Sequence, residues 1–142
     1  MNTIIVYWSR YGNGKKVVDY LSDNLKKNNV ETQVFKTDEL DPTKMPKADL
    51  YIFSAPAEAF NVQKNMRRFM KKLEDMDNKK YGIINTHGME RNWLGKMDKL
   101  LLKKNMVKVA NVDFKVGKDA NSGNALEDGW ESKVEDFVTR LK

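Results

Sequence analysis

Residues 4–15, IIVYWSRYGNGK, constrain what this chain can fold into more than any other stretch. An unbroken apolar run ends in a short polar turn with glycine at 12 and 14. A helical pattern opens at once behind it, with Val17, Val18, Leu21 and Leu25 on one face. The run is too short to cross a membrane and too uniformly apolar to be half solvated, so it predicts a strand covered on both faces. Strand, glycine turn and helix N-terminus in that order point backbone N–H groups and the positive end of a helix dipole at an anion. Such a turn also serves as a plain tight connection, and both roles stand at this level. Neither the G-x-G-x-x-G dinucleotide spacing nor the G-x-x-x-x-G-K-[ST] phosphate loop is present.

Strand and helix patterns alternate from there to the end. Residues 50–53 and 81–84 are further short apolar runs of the doubly covered kind. Residues 30–35 and 107–116 alternate apolar with polar, as exposed edge strands do, and a slip of phase at Ala110 predicts a bulge. Between them lie three helix-period stripes: Val62, Met66, Phe69, Met70 and Leu73; Leu94, Met97, Leu100 and Leu101; Trp130, Val134, Phe137, Val138 and Leu141. Residues 37–48, with prolines at 42 and 46, read as an irregular connection, and 117–129 as a loop feeding the last helix. Five strands alternating with helices in 142 residues predict one α/β domain, an open parallel sheet with helices on both faces. Ligands of such sheets sit beyond the carboxyl ends of the strands, where the strand order reverses. Three loops therefore matter: 9–14, 54–61 and 85–93.

Composition removes several function classes. The absence of cysteine excludes disulfides, thiolate metal sites and iron–sulfur ligation within the chain. No stretch approaches the roughly 20 apolar residues of a spanning helix. Met1 runs directly into strand-like sequence, so no secretory leader is expected and the cytoplasm is the expected compartment. The net charge of +6 is concentrated: residues 64–108 hold 13 Lys/Arg against 5 Asp/Glu, while 1–63 balance and 109–142 are slightly acidic. A basic surface of this kind steers toward anionic partners or is simply a solvated face. No aromatic and arginine pattern of a nucleic-acid module accompanies it, so no nucleic acid is expected as a partner.

The first loop offers the Ser9 hydroxyl, close backbone approach at Gly12 and Gly14, a turn-tolerant Asn13, and a cation at Lys15. His87 is the only histidine, so no multi-histidine metal site exists, and the serines lack a nucleophile-elbow context. The eight methionines are expected to fill core gaps. Trp8 reads as core or sheet-top packing. Trp93 reads either as an apolar residue at a helix start or as a lid over a ring.

Taken together, these residues resemble a flavodoxin. SRYGNGK resembles the family's phosphate loop, residues 48–73 its third strand, flavin-flanking loop and following helix, and YGIINTHG onward its remaining elements. The likeness runs through nearly the whole chain in the correct order. It implies a three-layer sandwich with a five-stranded parallel sheet of order 2-1-3-4-5. It further implies non-covalent FMN, with the phosphate on Ser9, Arg10, Tyr11, Gly12, Asn13, Gly14 and Lys15. The isoalloxazine would lie between Ala55, Pro56, Ala57, Glu58, Ala59 and Phe60 on one side and Thr86, His87, Gly88 and Trp93 on the other. Flavodoxins shuttle single electrons, so the partners implied are redox proteins, and helices with basic outer faces lean toward a monomer.

The sequence also departs from the family pattern. Tyr11 and Gly14 stand where many members carry threonines, removing two hydroxyls worth about 1.5–3 kcal/mol each toward a charged group. Glu58 falls where an aromatic usually packs on the flavin, with Phe60 two residues on as its substitute. The third loop leaves Trp93, His87 and Met89 as ring-covering candidates. The basic middle third predicts a less negative final potential than in an acidic flavodoxin, or an acidic partner. Beside the electron carrier stand two alternatives. One is a small FMN-dependent oxidoreductase of the quinone-reductase or protoporphyrinogen-oxidase sort, with His87 or Tyr11 in proton transfer. The other is a binding domain that has lost its cofactor.

Overall fold

The N-terminal apolar run forms β1 (Asn2–Tyr7), in which Ile4, Ile5 and Val6 are fully buried. The computed structural model describes residues 1–142. There follow α1 (Asn13–Lys27), β2 (Glu31–Lys36), β3 (Leu50–Glu58), β4 (Asn61–Val62) and α2 (Lys64–Lys72). Then come β5 (Lys80–His87), α3 (Trp93–Leu102), β6 (Val107–Lys115), a single 3-10 turn at Ala120–Ser122 and α4 (Trp130–Arg140). The sheet runs β2-β1-β3-β5-β6 with every neighbour parallel, so the five long strands stand in the expected order 2-1-3-4-5. The two patterned strands, β2 and β6, are the edges. No helix is long and apolar enough to cross a membrane.

Period-two alternation along β1 divides the interior into two cores. Ile5 and Tyr7 join Val17, Leu21, Phe114 and Phe137 beneath α1 and α4. Ile4 and Val6 join Phe53, Met66, Met97 and Leu101 beneath α2 and α3. Each such side chain, fully buried, contributes about 1.5–3 kcal/mol. Met66, Met70, Met76, Met97 and Met106 all lie in the second core, where flexible thioethers fill the gaps between helix and sheet.

Two features differ from the sequence expectation. β3 and β5 outrun their apolar stretches, because the backbones of Ser54, Ala55 and Pro56 remain paired with Ile84, Asn85 and Thr86. The sheet also gains a sixth strand, β4, which folds back antiparallel on the end of β3 with Ala57 opposite Val62 and Glu58 opposite Asn61. Two paired residues are too short to leave a period in the sequence. The bulge expected near Ala110 is present: Tyr81 pairs with Lys108 but Gly82 pairs with Ala110, leaving Val109 as the extra residue.

Tyr81 ties the sheet to α3. It is fully buried, and its hydroxyl donates to Asp98 at 2.7 Å, which also receives Lys108 at 2.7 Å. Burial first, and the neighbouring carboxylate second, push its phenol well above the ordinary tyrosine range. The folded state thus holds this proton more tightly than the unfolded chain does. That stability is complete below the unfolded value of about 10 and drains away as pH rises from there toward the folded-state value. Tyr81→Phe is expected to cost about 1–3 kcal/mol at neutral pH and to flatten the loss of stability above pH of about 10, as read from urea midpoints across pH.

Candidate functional site

Burial of β1 on both faces fixes where the first loop leaves the sheet, and α1 begins directly above it. The Ser9 hydroxyl accepts the N–H groups of Gly12 at 3.2 Å and Lys15 at 3.3 Å, closing the loop on itself. Gly12 caps α1 with φ of 102°, offers no side-chain cap, and is followed by no acid in the first turn. The backbone N–H groups of Asn13 and Gly14 find no acceptor in the protein. The Asn13 side chain is buried and points away from the loop. Its Nδ2 donates to the Ala120 carbonyl and its Oδ1 accepts from the Ala125 amide, both at 2.9 Å. That double bond draws residues 120–125 against the loop so closely that a Cβ on Gly123 would sit 2.5 Å from the Tyr11 carbonyl oxygen. Lys15 turns outward to Asp19 at 2.7 Å and adds no charge to the loop.

The second wall is the end of β3 and its hairpin. Ala59 and Phe60 form the two-residue turn with φ of 49° and 62°. This left-handed geometry suits asparagine and glycine, and costs other residues roughly 1–2 kcal/mol each. An ion pair holds the hairpin to the first loop: Arg10 donates twice to Glu58, at 2.8 and 2.9 Å, with its guanidinium 4.9 Å from the Trp8 ring centroid. Hydrogen bonding to the Glu58 carboxylate, then its charge, raises the Arg10 pKa further above its ordinary value.

The third wall is Thr86, His87 and Gly88 at the end of β5. The His87 side chain is 4% exposed and its Nε2 lies 2.7 Å from Asp113 on β6. Thr86 is buried against the first loop. A Cβ on Gly14 would lie 3.6 Å from the Ser9 hydroxyl and 4.0 Å from that of Thr86, so both hydroxyls face the notch the glycine leaves.

These walls enclose a cleft of about 110 Å³. Of the residues expected from sequence, Ser9, Arg10, Tyr11, Asn13, Gly14, Pro56, Ala57, Glu58, Thr86, His87 and Gly88 line it. Gly12 and Lys15 shape its rim through the bonds above, and Ala55 is buried in the core beneath. Three expectations need correction. Trp93 is no lid: it is 3% exposed, with its indole N–H donated to the Met89 carbonyl at 2.8 Å, so it anchors the third loop from below. Phe60 does not line the cleft, because the turn carries it and Ala59 outward and leaves it 72% exposed at the rim. Glu58 is engaged by Arg10 rather than facing a ring alone. Val116, whose amide donates to the His87 carbonyl at 2.8 Å, and Ala120, held by Asn13, line the cleft unforeseen, and Asp113 is visible only once the β5–β6 register is known.

A model of the flavodoxin domain matches residues 4–118 of the sequence. The chain belongs to the flavodoxin family. Its fold is similar to that of flavodoxin 2 from Bacillus cereus, with a TM-score of 0.82 at 14% identity, over 99% of this chain and 97% of that one. A flavodoxin from the domain Archaea matches with a TM-score of 0.74 at 16% identity, over 99% of both chains. The rubredoxin:oxygen oxidoreductase of Desulfovibrio gigas contains a similar unit, with a TM-score of 0.80 at 12% identity, over 99% of this chain but 35% of that one. A comparison with curated protein sequences finds no match.

Flavodoxins bind FMN, and this flavodoxin's first loop fits the phosphate of that cofactor. Two unengaged amides at a helix N-terminus without a first-turn acid suit a dianion. The Thr86 hydroxyl, reaching in from β5, stands beside Ser9 where a threonine at position 14 is missing. The loop's shape rests on Asn13, which leads to a direct test. Asn13→Ala strands the buried Ala125 amide and leaves the Ala120 carbonyl with the Gly123 amide alone, so it is expected to cost about 1–3 kcal/mol in urea unfolding and to weaken FMN binding, measured by quenching of flavin fluorescence.

Proposed function

We propose that this flavodoxin is an electron carrier that binds FMN non-covalently and passes electrons singly between redox proteins, as a monomer in the cytoplasm. One observation carries it: the charged side chains on the cleft wall are already engaged with each other or with the scaffold. Arg10 pairs with Glu58, and His87, held by Asp113 at Nε2, has a side chain only 4% exposed, leaving the Tyr11 phenol as the one exposed, unpaired titratable group on the wall. An enzyme acting on a substrate at this cleft needs an acid or base free to meet it. A carrier needs only a held cofactor with an accessible edge, since the cofactor supplies the redox chemistry.

In this account the amides of Asn13 and Gly14 and the hydroxyls of Ser9 and Thr86 hold the phosphate. Pro56, Ala57 and Glu58 flank the ring on one side, and Thr86, His87 and Gly88 on the other. The Arg10–Glu58 pair ties the two loops that form the mouth, restraining the hairpin and limiting entry of water beside the ring. The uncompensated cations of α2 and α3 make added negative charge at the cleft less costly, which favours a less negative final potential than in an acidic relative. The same cations favour acidic partners.

The His87–Asp113 pair is the feature a quinone-reductase-like or protoporphyrinogen-oxidase-like enzyme would use, so the decisive measurement separates carrier from enzyme. An anaerobic potentiometric titration followed by visible spectroscopy is expected to resolve two one-electron steps at one FMN per chain, with negligible direct reduction by NAD(P)H. Rapid two-electron reduction by NAD(P)H would count against the carrier.

A further inference from the structure

Helices α2 and α3 pack beside each other on one face of the sheet, and both start at the end that carries the cleft. α2 contains no Asp or Glu, while Lys64, Arg68, Lys71 and Lys72 are exposed on it. Lys96 and Lys99 are exposed on α3 and Lys103 just beyond it. The single acid of α3, Asp98, is already taken by Lys108 and the Tyr81 hydroxyl. None of these seven cations has a carboxylate within ion-pair distance. A face kept only for solubility intersperses both signs. α4, in the opposite layer, does so with Glu131, Lys133, Glu135, Asp136 and Arg140.

A separate observation lies at the rim of the cleft. Each of the three loops ends in an exposed apolar side chain: Tyr11 at 47%, Phe60 at 72% and Met89 at 49%. Phe60 is held outward by a backbone conformation that phenylalanine disfavours, at φ of 62° beside Ala59 at 49°. Exposed aromatic and methionine side chains are the residue types that anchor protein interfaces.

We propose that the α2–α3 face and the Tyr11–Phe60–Met89 rim form a two-part docking surface for an acidic redox protein. The occupant has carboxylates ringing an exposed apolar patch over its own redox centre. The cations steer its approach, a long-range effect that salt removes. The rim makes the short-range contact over the cleft and governs how long the complex lasts. This deepens the electron-carrier account and rests on it. A nucleic acid is disfavoured as occupant, because the cations lie beside an apolar rim rather than along a groove interleaved with stacking platforms.

The test is stopped-flow electron exchange with two probes, an acidic plant-type [2Fe–2S] ferredoxin and basic cytochrome c. Exchange with ferredoxin is expected to slow about tenfold or more as salt rises from about 20 to about 300 mM, and exchange with cytochrome c to quicken. Arg68→Glu/Lys72→Glu/Lys99→Glu is expected to slow ferredoxin about tenfold at low salt and abolish the salt dependence. The equal charge change Lys26→Glu/Lys27→Glu/Lys47→Glu, away from this face, is expected to alter the rate by less than about twofold. Phe60→Ala/Met89→Ser is expected to lower the high-salt rate and keep the salt slope. FMN affinity is measured for every variant, and ferredoxin binding to the apoprotein is followed by NMR line broadening. Failure of the carrier account therefore shows as absent FMN or direct NAD(P)H reduction with ferredoxin binding intact. Equal sensitivity to both triple reversals, or insensitivity to the Arg68→Glu/Lys72→Glu/Lys99→Glu reversal, overturns the docking surface. So does a labelled DNA oligomer that binds through the same cations more tightly than ferredoxin at about 150 mM salt.

Discussion

The cleft depends on where α1 begins. A helix start leaves amides without partners, and here the chain does not fill the vacancy with a capping side chain or a first-turn acid. β1, buried on both faces, sets the height of that start, and the two hydrogen bonds of Asn13 set its lateral position against residues 120–125. The Ser9 hydroxyl then holds the loop open around the notch at Gly14. An anion completes this arrangement better than any group the protein itself supplies.

Opposite that rigid cradle the second wall is held by different means. The β3–β4 hairpin turns through two residues in left-handed conformations, and the Arg10–Glu58 pair joins it to the first loop. That pair is exposed and screened by salt, so it guides the hairpin more than it stabilises the fold. The molecule thus combines a first loop locked by buried bonds with a hairpin that turns through strained torsions and is tied down by a surface ion pair. Its charge is divided as well. The α2–α3 layer carries unpaired cations, whereas the α1–α4 layer mixes both signs, and this gives the surface near the cofactor a polarity of its own.

Much of this is legible in the sequence, and the missing parts have physical reasons. The alternation of buried runs and helical stripes suffices for the strand order, because parallel strands with right-handed crossovers leave few topologies. Most cleft-lining residues follow from the ends of three strands. Trp93 and Phe60 do not: whether an aromatic beside a ligand loop faces the ligand, the core or solvent is decided by local backbone torsions and by one bond to the Met89 carbonyl. Glu58 gains its partner, Arg10, only through a contact spanning 48 positions. Asp113 reaches the site through strand register, which no local pattern encodes. The basic middle third is plain from composition, but its gathering onto one face requires α2 and α3 to be neighbours.

The central claim is that the N-terminus of α1 holds the cofactor by its phosphate. Titrating the apoprotein with FMN and with riboflavin, which lacks the phosphate, tests it most directly. The account predicts that FMN binds at least about 100-fold more tightly, from two or more charge-assisted hydrogen bonds. Equal affinity for the two flavins would contradict it.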